Sequence, residues 1–330
     1  MEDVNSQMKV DAVITWVNSN DKKWQEKINK YKDVKIDFDD KRNSVRFNSI
    51  GEIDIAIKSI IKFAPFIRTI FLVTDHQKPD SFDNLKILAK ANNINLALID
   101  HEIIFRDYLD YLPCFNSCSI GSMLFRIPDL SEHFIIFNDD TFLMRKTKVS
   151  DFFIEGKPIV RGKWQVFNEN RTLRNFYLDF RSLLGIPKKN NAISFKKFQQ
   201  TSAKLALTKT YVRRFHTPVC VRKSTLEEFF QGKNLLEENI KHRFRNENQF
   251  IVSSLSEHLE IKNKSYHFRE NTQLTYFRSY KSHFMVKLKL NWFSKNTKKL
   301  FMTFQCLELA DPKTISYIFT WIDKRLNFKV

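Results

Sequence analysis

Glycine is scarce in this chain of 330 residues: 6 in all, against 32 phenylalanines. That scarcity excludes collagen-like, Gly-rich linker and β-helix architectures, which need glycine at a short repeat. Cysteine is scarce too. Cys114, Cys118, Cys220 and Cys306 form no CxxC pair, so the spacing indicates neither a disulfide framework nor a zinc site, and reduced thiols are expected. No apolar run reaches the roughly 18–20 residues needed to cross a bilayer. The start, Met1-Glu2-Asp3, is acidic and lacks the basic-then-apolar pattern of a secretion signal, so the expected location is the cytoplasm. No internal repeat is visible, and no Pro- or Ser-rich linker marks a domain boundary.

Apolar residues make up 42% and aromatics 14%, which excludes intrinsic disorder and supplies a sizeable core. The net charge of +18 is unevenly spread. Residues 1–150 hold 21 basic and 22 acidic residues, net −1, whereas residues 151–330 hold 34 and 15, net +19. A cationic half beside a balanced one points to a polyanionic partner: nucleic acid, an anionic membrane surface or an acidic polymer.

The balanced half alternates strand-like and helix-like segments. Val10–Val17 is β-branched and apolar and ends at the turn-prone Asn18 to Asp21. Between Ile50 and Phe63, apolar residues at 53, 57, 60 and 61 keep helical spacing before Pro65. Three more buried-type strands are expected: Thr69–Thr74 leading into Asp75, Ile94–Ile99 into Asp100-His101, and His133–Phe137 into Asn138-Asp139-Asp140. Strands separated by helices predict an α/β fold with a mostly parallel sheet and helices on both faces. Ligands of such sheets sit beyond the C-terminal strand ends, where Asn18, Asp75, Asp100 and Asp139/Asp140 all fall. In the cationic half, residues 276–304 interleave aromatics with Lys and Arg. Asp311-Pro312 then offers an N-cap and a first-turn proline to an amphipathic helix carrying Ile315, Ile318, Phe319 and Ile322.

Asn138-Asp139-Asp140 after a buried strand suits Mg²⁺ or Mn²⁺ on a diphosphate, since hard cations take carboxylate oxygens. Neighbouring strand residues face opposite ways, so both aspartates reach one metal only if the chain bends there, or else Asn138 and Asp140 share the face. His216, between Phe215 and Thr217-Pro218 and beside Arg213, Arg214 and Arg222, is expected to be neutral through those cations, as suits a general base. Arg243 and Arg245, in the cluster Lys241 to Asn246, are candidates to clamp phosphate oxygens.

Taken together, these motifs resemble the Stealth family, sugar-phosphate transferases of bacterial capsule synthesis that include the catalytic part of the animal GlcNAc-1-phosphotransferase. The resemblance runs in order from about residue 10 to 255. Asp11 to Asn18 resembles the first conserved block. Arg46, Glu52, Lys58-Ser59-Ile60, Val73-Thr74-Asp75, Phe115-Asn116-Ser117, Arg126-Ile127-Pro128 and Phe137 to Asp140 resemble the second. His216-Thr217-Pro218 resembles the third, and Phe244 to Gln249 the fourth. Asn18, Lys58 and Gly121 depart from the family's usual Asp, Arg and acidic residue.

The resemblance implies a Rossmann-like or GT-A-like nucleotide-binding core over 9–150, a basic, partly helical insertion over 151–210, and the second, mainly helical part of a catalytic domain over 211–330. It implies transfer of a hexose-1-phosphate from a UDP-sugar to a hydroxyl of an anionic, phosphate-containing glycan, with release of UMP. Asp139 and Asp140 would hold Mg²⁺ or Mn²⁺. His216 would take the acceptor proton, and Arg245 or Arg243, with Arg126, would stabilise phosphoryl oxygens. Asn18, Arg46, Asp75, Asn116, Asn138 and Asn248 would line the substrate site. Two rival readings are a metal-dependent glycosyltransferase releasing UDP and a basic nucleic-acid-binding protein; no specific nucleic acid is expected. The C-terminal helix and the basic–aromatic stretch offer peripheral contact with the inner membrane or capsule assembly machinery, though ordinary core packing is the favoured reading of that helix.

Overall fold

The computed structural model describes residues 8–40, 50–171 and 194–328. Strand β1 (Val10–Thr15) is followed by α1 (Lys22–Lys30), α2 (Glu52–Phe63), β2 (Ile67–Thr74), α3 (Phe82–Ala91), β3 (Asn95–Asp100), α4 (Ser117–Met123) and β4 (His133–Asn138). The chain continues through β5 (Thr141–Leu143), β6 (Phe153–Ile154), β7 (Lys157–Arg161), β8 (Lys163–Gln165), α5 (Phe195–Leu205), β9 (Tyr211–Arg213) and β10 (Val219–Arg222). It ends with α6 (Lys223–Phe230), α7 (Leu235–Ile240), α8 (Val252–Lys262), β11 (His267–Arg269), β12 (Leu274–Phe277), α9 (His283–Lys295), β13 (Phe301–Phe304) and α10 (Pro312–Leu326).

The main sheet has the order β10-β4-β1-β2-β3. Strands β3, β2, β1 and β4 are parallel, and β10 closes the edge antiparallel to β4. Thr15 pairs with both Val73 and Asn138, and Thr74 with Asp100. The four expected polar strand ends therefore lie along one edge. The order reverses between β1 and β4, which opens a crevice between neighbouring strand ends.

Alternation along the strands divides the core between two faces. Ala12, Ile14, Ile70 and Leu72 meet Ile57 and Ile60 of α2 on one face. Val13, Phe71 and Val73 meet Met123 and Leu255 on the other. Helix α2 forms where the spacing predicts: Gly51 takes a φ of 96° at its start, Glu52 and Asp54 suit the positive helix end, and Ile53, Ile57 and Ile60 are buried. Ile60 has no exposed surface, so Ile60→Ala should cost about 2–5 kcal/mol. At the opposite edge of the sheet, fully buried Asp11 accepts from Arg68 Nε and Nη2, Thr69 N and Ser131 N. One carboxylate thus ties together the start of three strands.

The cationic half is partly helical and adds short strands. Strand β13 pairs antiparallel with β5 and parallel with β12, which brings Thr141, Thr303 and Tyr276 into one row across the small sheet. Asp311 caps α10 through Thr314 N at 2.9 Å, with Pro312 in the first turn, as expected. Of the two readings of α10, core packing is what is observed: Ile318, Ile322 and Leu326 are buried in the same core cluster as α2. All four cysteines are free, and three are buried. Among the described residues, no helix is long and apolar enough to cross a membrane.

Candidate active site

Where β4 ends, Asp139 and Asp140 form a tight turn into β5. The turn supplies the bend that two consecutive carboxylates need. Asp139 lines a cavity of about 190 Å³ together with Thr15, Trp16, Asp75, Ser117 and Arg245. Asp140 turns toward the second half, where its Oδ2 lies 3.9 Å from His216 Nδ1. Burial holds both carboxyls well above the usual carboxylate range, with Asp140 and Glu52 raising Asp139 further and Glu52 raising Asp140. Hard oxygen donors crowded in this way fit a divalent cation, which would relieve the repulsion among them.

His216 is held by the small sheet. Thr303 Oγ1 donates to the His216 carbonyl at 3.0 Å, and the Thr303 and Thr141 hydroxyls are 3.0 Å apart. The ring of Tyr276 stacks on the imidazole, and Asn138 Nδ2 is 3.4 Å from His216 Nδ1. The His216 pKa is pushed down to about 4, chiefly by burial and secondarily by Arg214. A neutral imidazole was expected from the cationic neighbours, and here the cause is corrected. Arg222 is paired with Glu260 instead, and Arg213 lies over Phe215.

The two arginine candidates separate cleanly. Arg243 donates to the carbonyls of Pro113 at 2.8 Å and Leu112 at 3.1 Å, and lies over Tyr31. It fastens a loop. Arg245 lines the cavity, donates to Ser117 Oγ at 2.8 Å, and has a buried Nε with no hydrogen-bond partner among the described residues. Arg245 and Asp139 thus line the same cavity.

Several expected site residues sit elsewhere or have other work. Arg126 donates to Ile104 O and pairs with Asp107, and it lines a different cavity with Pro128 and Lys223. Arg126 is thus engaged with neighbouring groups and does not line the cavity that holds Asp139. Asn116 is fully buried, capping α4 through Cys118 N and donating to His242 O and Gln249 Oε1. That leaves its side chain no free group for substrate. Asn18 turns its Oδ1 back on Asn20 N, while its backbone pairs with Gln77. Asn248 is exposed, and its backbone caps onto Asn246. Asp75 lines the cavity and binds Lys27 Nζ at 2.7 Å. Arg46 lies outside the described residues.

Trp16, His101, Ser117 and Tyr276 were not singled out by chemistry. Trp16 Nε1 and His101 Nδ1 are buried without partners among the described residues, and both side chains line the cavity. Burial pushes the His101 pKa down to about 4. Trp16 and Ser117 lie within the resembling blocks, which is the signal that could have marked them.

Residues 8–33 match Stealth protein CR1, conserved region 1, and residues 46–160 match Stealth protein CR2, conserved region 2. The chain carries two conserved regions of the Stealth family. It is 33% identical over 256 residues to the capsular polysaccharide phosphotransferase fcs1 of Haemophilus influenzae, covering 76% of the chain and 65% of that protein. It is 40% identical over 149 residues to the receptor polysaccharide phosphotransferase WefC of Streptococcus oralis, covering 44% and 42%. It thus spans 65% of the length of the first relative and 42% of the second. Among solved structures, the bifunctional glycosyltransferase WbbM aligns with 97% of the chain and 50% of its own, at 12% identity and a TM-score of 0.43.

Proposed function

We propose that this chain moves a hexose-1-phosphate from a UDP-sugar to a hydroxyl of an anionic acceptor glycan, forming a phosphodiester and releasing UMP. The observation that carries the reading is the divided turn at Asp139-Asp140. One carboxylate lines a cavity with Arg245, and the next lies beside a neutral histidine.

Asp139 and Asp140 would hold Mg²⁺ or Mn²⁺, which when bound neutralises diphosphate charge. The protein's own part is alignment and charge stabilisation. Trp16 and Arg245 line the cavity that holds Asp139 and bring N–H donors to the phosphoryl oxygens, which stabilise negative charge as it spreads. His216 takes the acceptor proton. His216 Nδ1 faces Asn138 Nδ2 and Asp140, and Asp140 steadies the imidazolium that forms. The acceptor oxygen then bonds to the phosphorus nearest the sugar as the bond to UMP breaks.

The acceptor and its surroundings belong to the same reading. A half with net charge +19 suits a growing, phosphate-laden glycan, with the work done at the cytoplasmic face of the membrane. To test it, the protein is incubated with a panel of UDP-sugars, a hydroxyl acceptor and Mg²⁺, and the product is examined by phosphorus NMR. A phosphodiester resonance that disappears in His216→Ala is the expected result. A product without phosphorus overturns the reading in favour of ordinary glycosyl transfer.

A further inference from the structure

Helix α9 carries two apolar faces. Val286, Leu290 and Phe293 are buried in the core, as any docked helix requires. At about 100° per residue, the opposite side is formed by Phe284, Met285, Leu288 and Trp292. These four are 67%, 60%, 45% and 48% exposed. A single exposed leucine means little, but a contiguous stripe of large apolar side chains on a helix marks an interaction surface.

The surroundings of the stripe decide what covers it. Residues 271–307 contain no Asp or Glu, and carry Arg278, Lys281, Lys287, Lys289, Lys295, Lys298 and Lys299. Lys287 and Lys289 flank the stripe on either side of the helix, and both are exposed. A groove of about 530 Å³ runs along it, lined by Tyr276, Arg278, Met285, Leu288, Lys289 and Trp292. Phe, Leu and Trp on the outer face, bordered by lysines and free of carboxylates, is the pattern of a helix lying in the headgroup region of a bilayer. A basic fringe of this kind is drawn to anionic lipids. A glycan would leave Phe284, Met285 and Leu288 against water, whereas acyl chains cover them.

We infer that the outer face of α9 docks this protein on an anionic lipid surface, with Phe284, Met285, Leu288 and Trp292 inserted among the lipids and the flanking lysines on the headgroups. The docking stands on this surface alone. Its consequence for chemistry rests on the proposed transfer: Tyr276 lines the groove and stacks on His216, which would put the proton acceptor next to the membrane.

The test is flotation of the full chain with vesicles of phosphatidylglycerol and phosphatidylcholine in equal parts, and with phosphatidylcholine alone. The protein should float with the anionic vesicles, and high salt should weaken that binding. The triple variant Phe284→Gln, Met285→Gln, Leu288→Gln should bind at least about tenfold more weakly, because three inserted side chains are lost together. Ile87→Gln, at an exposed apolar position on α3 (70%), should leave binding unchanged. Absence of anionic-vesicle binding, or equal binding by the triple variant, overturns the inference. So does self-association in sedimentation that the triple variant abolishes, because the stripe would then be covered by a second copy. Vesicle binding is read without turnover, so its failure is distinct from failure of the transfer reaction.

Discussion

The ring of Tyr276 lies on the imidazole of His216 with centroids 5.5 Å apart and planes inclined by only 17°. Tyr276 is itself held by β12 and by its hydroxyl donating to Gln305 Oε1. It thus positions the histidine by packing against its ring. General bases contribute about 10²–10⁴-fold, so losing part of that placement in Tyr276→Ala should lower kcat about tenfold. The KM for donor should change little, and Tyr276→Phe, which keeps the stack, should restore most of kcat. Steady-state kinetics on the three proteins checks this; a loss confined to KM contradicts it.

Arg243 and Arg245 should differ in kind. Arg245→Ala removes a donor that lines the cavity and should reduce turnover about 10²–10³-fold with the melting temperature nearly unchanged. Arg243→Ala leaves two loop carbonyls without their donor and should cost about 1–3 kcal/mol of stability. Thermal unfolding beside turnover distinguishes the pair.

This pair also marks where the sequence stops being legible. Strand existence and the line of polar strand ends were readable, because each apolar run stops at a polar residue and the parallel order follows from alternating helices. A shared side for Asn138 and Asp140 was readable too, since alternate strand residues face one way, and both lie beside His216. Arg243 and Arg245 have the same composition around them; they part company because the chain returns the Pro113 carbonyl to Arg243 across 130 residues. Arg126 is the same kind of case: its partners Ile104 and Asp107 come from a separate stretch of chain and draw it to a different cavity. Periodicity identified α10 as amphipathic, but could not tell that its stripe faces the core. It also hid α9, whose apolar residues point both ways and blur any moment. His216 was expected to be neutral for the wrong cause, since burial depends on packing that cationic neighbours in sequence do not report.

Metal binding should be separable from turnover. Asp139→Asn should weaken Mn²⁺ binding at least about tenfold, the scale on which even outer partners of a metal ligand act. Titration calorimetry of the protein with Mn²⁺ alone measures it. Chelation should abolish transfer by the wild type, and restored Mg²⁺ or Mn²⁺ should recover it.

His258 gives stability a defined pH dependence. It is fully buried, accepts from Val212 N through Nε2 at 2.9 Å and donates from Nδ1 to Ser254 O. Burial pushes its pKa from 6.5 down to about 4. Between those values the unfolded chain takes a proton that the folded chain refuses, so stability rises with pH across the window and is lost as pH falls through it. The full effect is about 3 kcal/mol. Glu257, raised to about 7 by burial, acts in the opposite direction but equally in wild type and variant. Relative to His258→Gln, the wild type should lose its advantage between pH 6.5 and pH 4; denaturant titrations across that range check it.

The central claim is the bond that breaks in the donor, and the released nucleotide reports it most directly. Wild-type protein given a UDP-sugar, acceptor and Mg²⁺ should release UMP in step with product, and Asp139→Asn and His216→Ala should release almost none. Release of UDP in step with product would contradict the account, because the broken bond would then join sugar to phosphate.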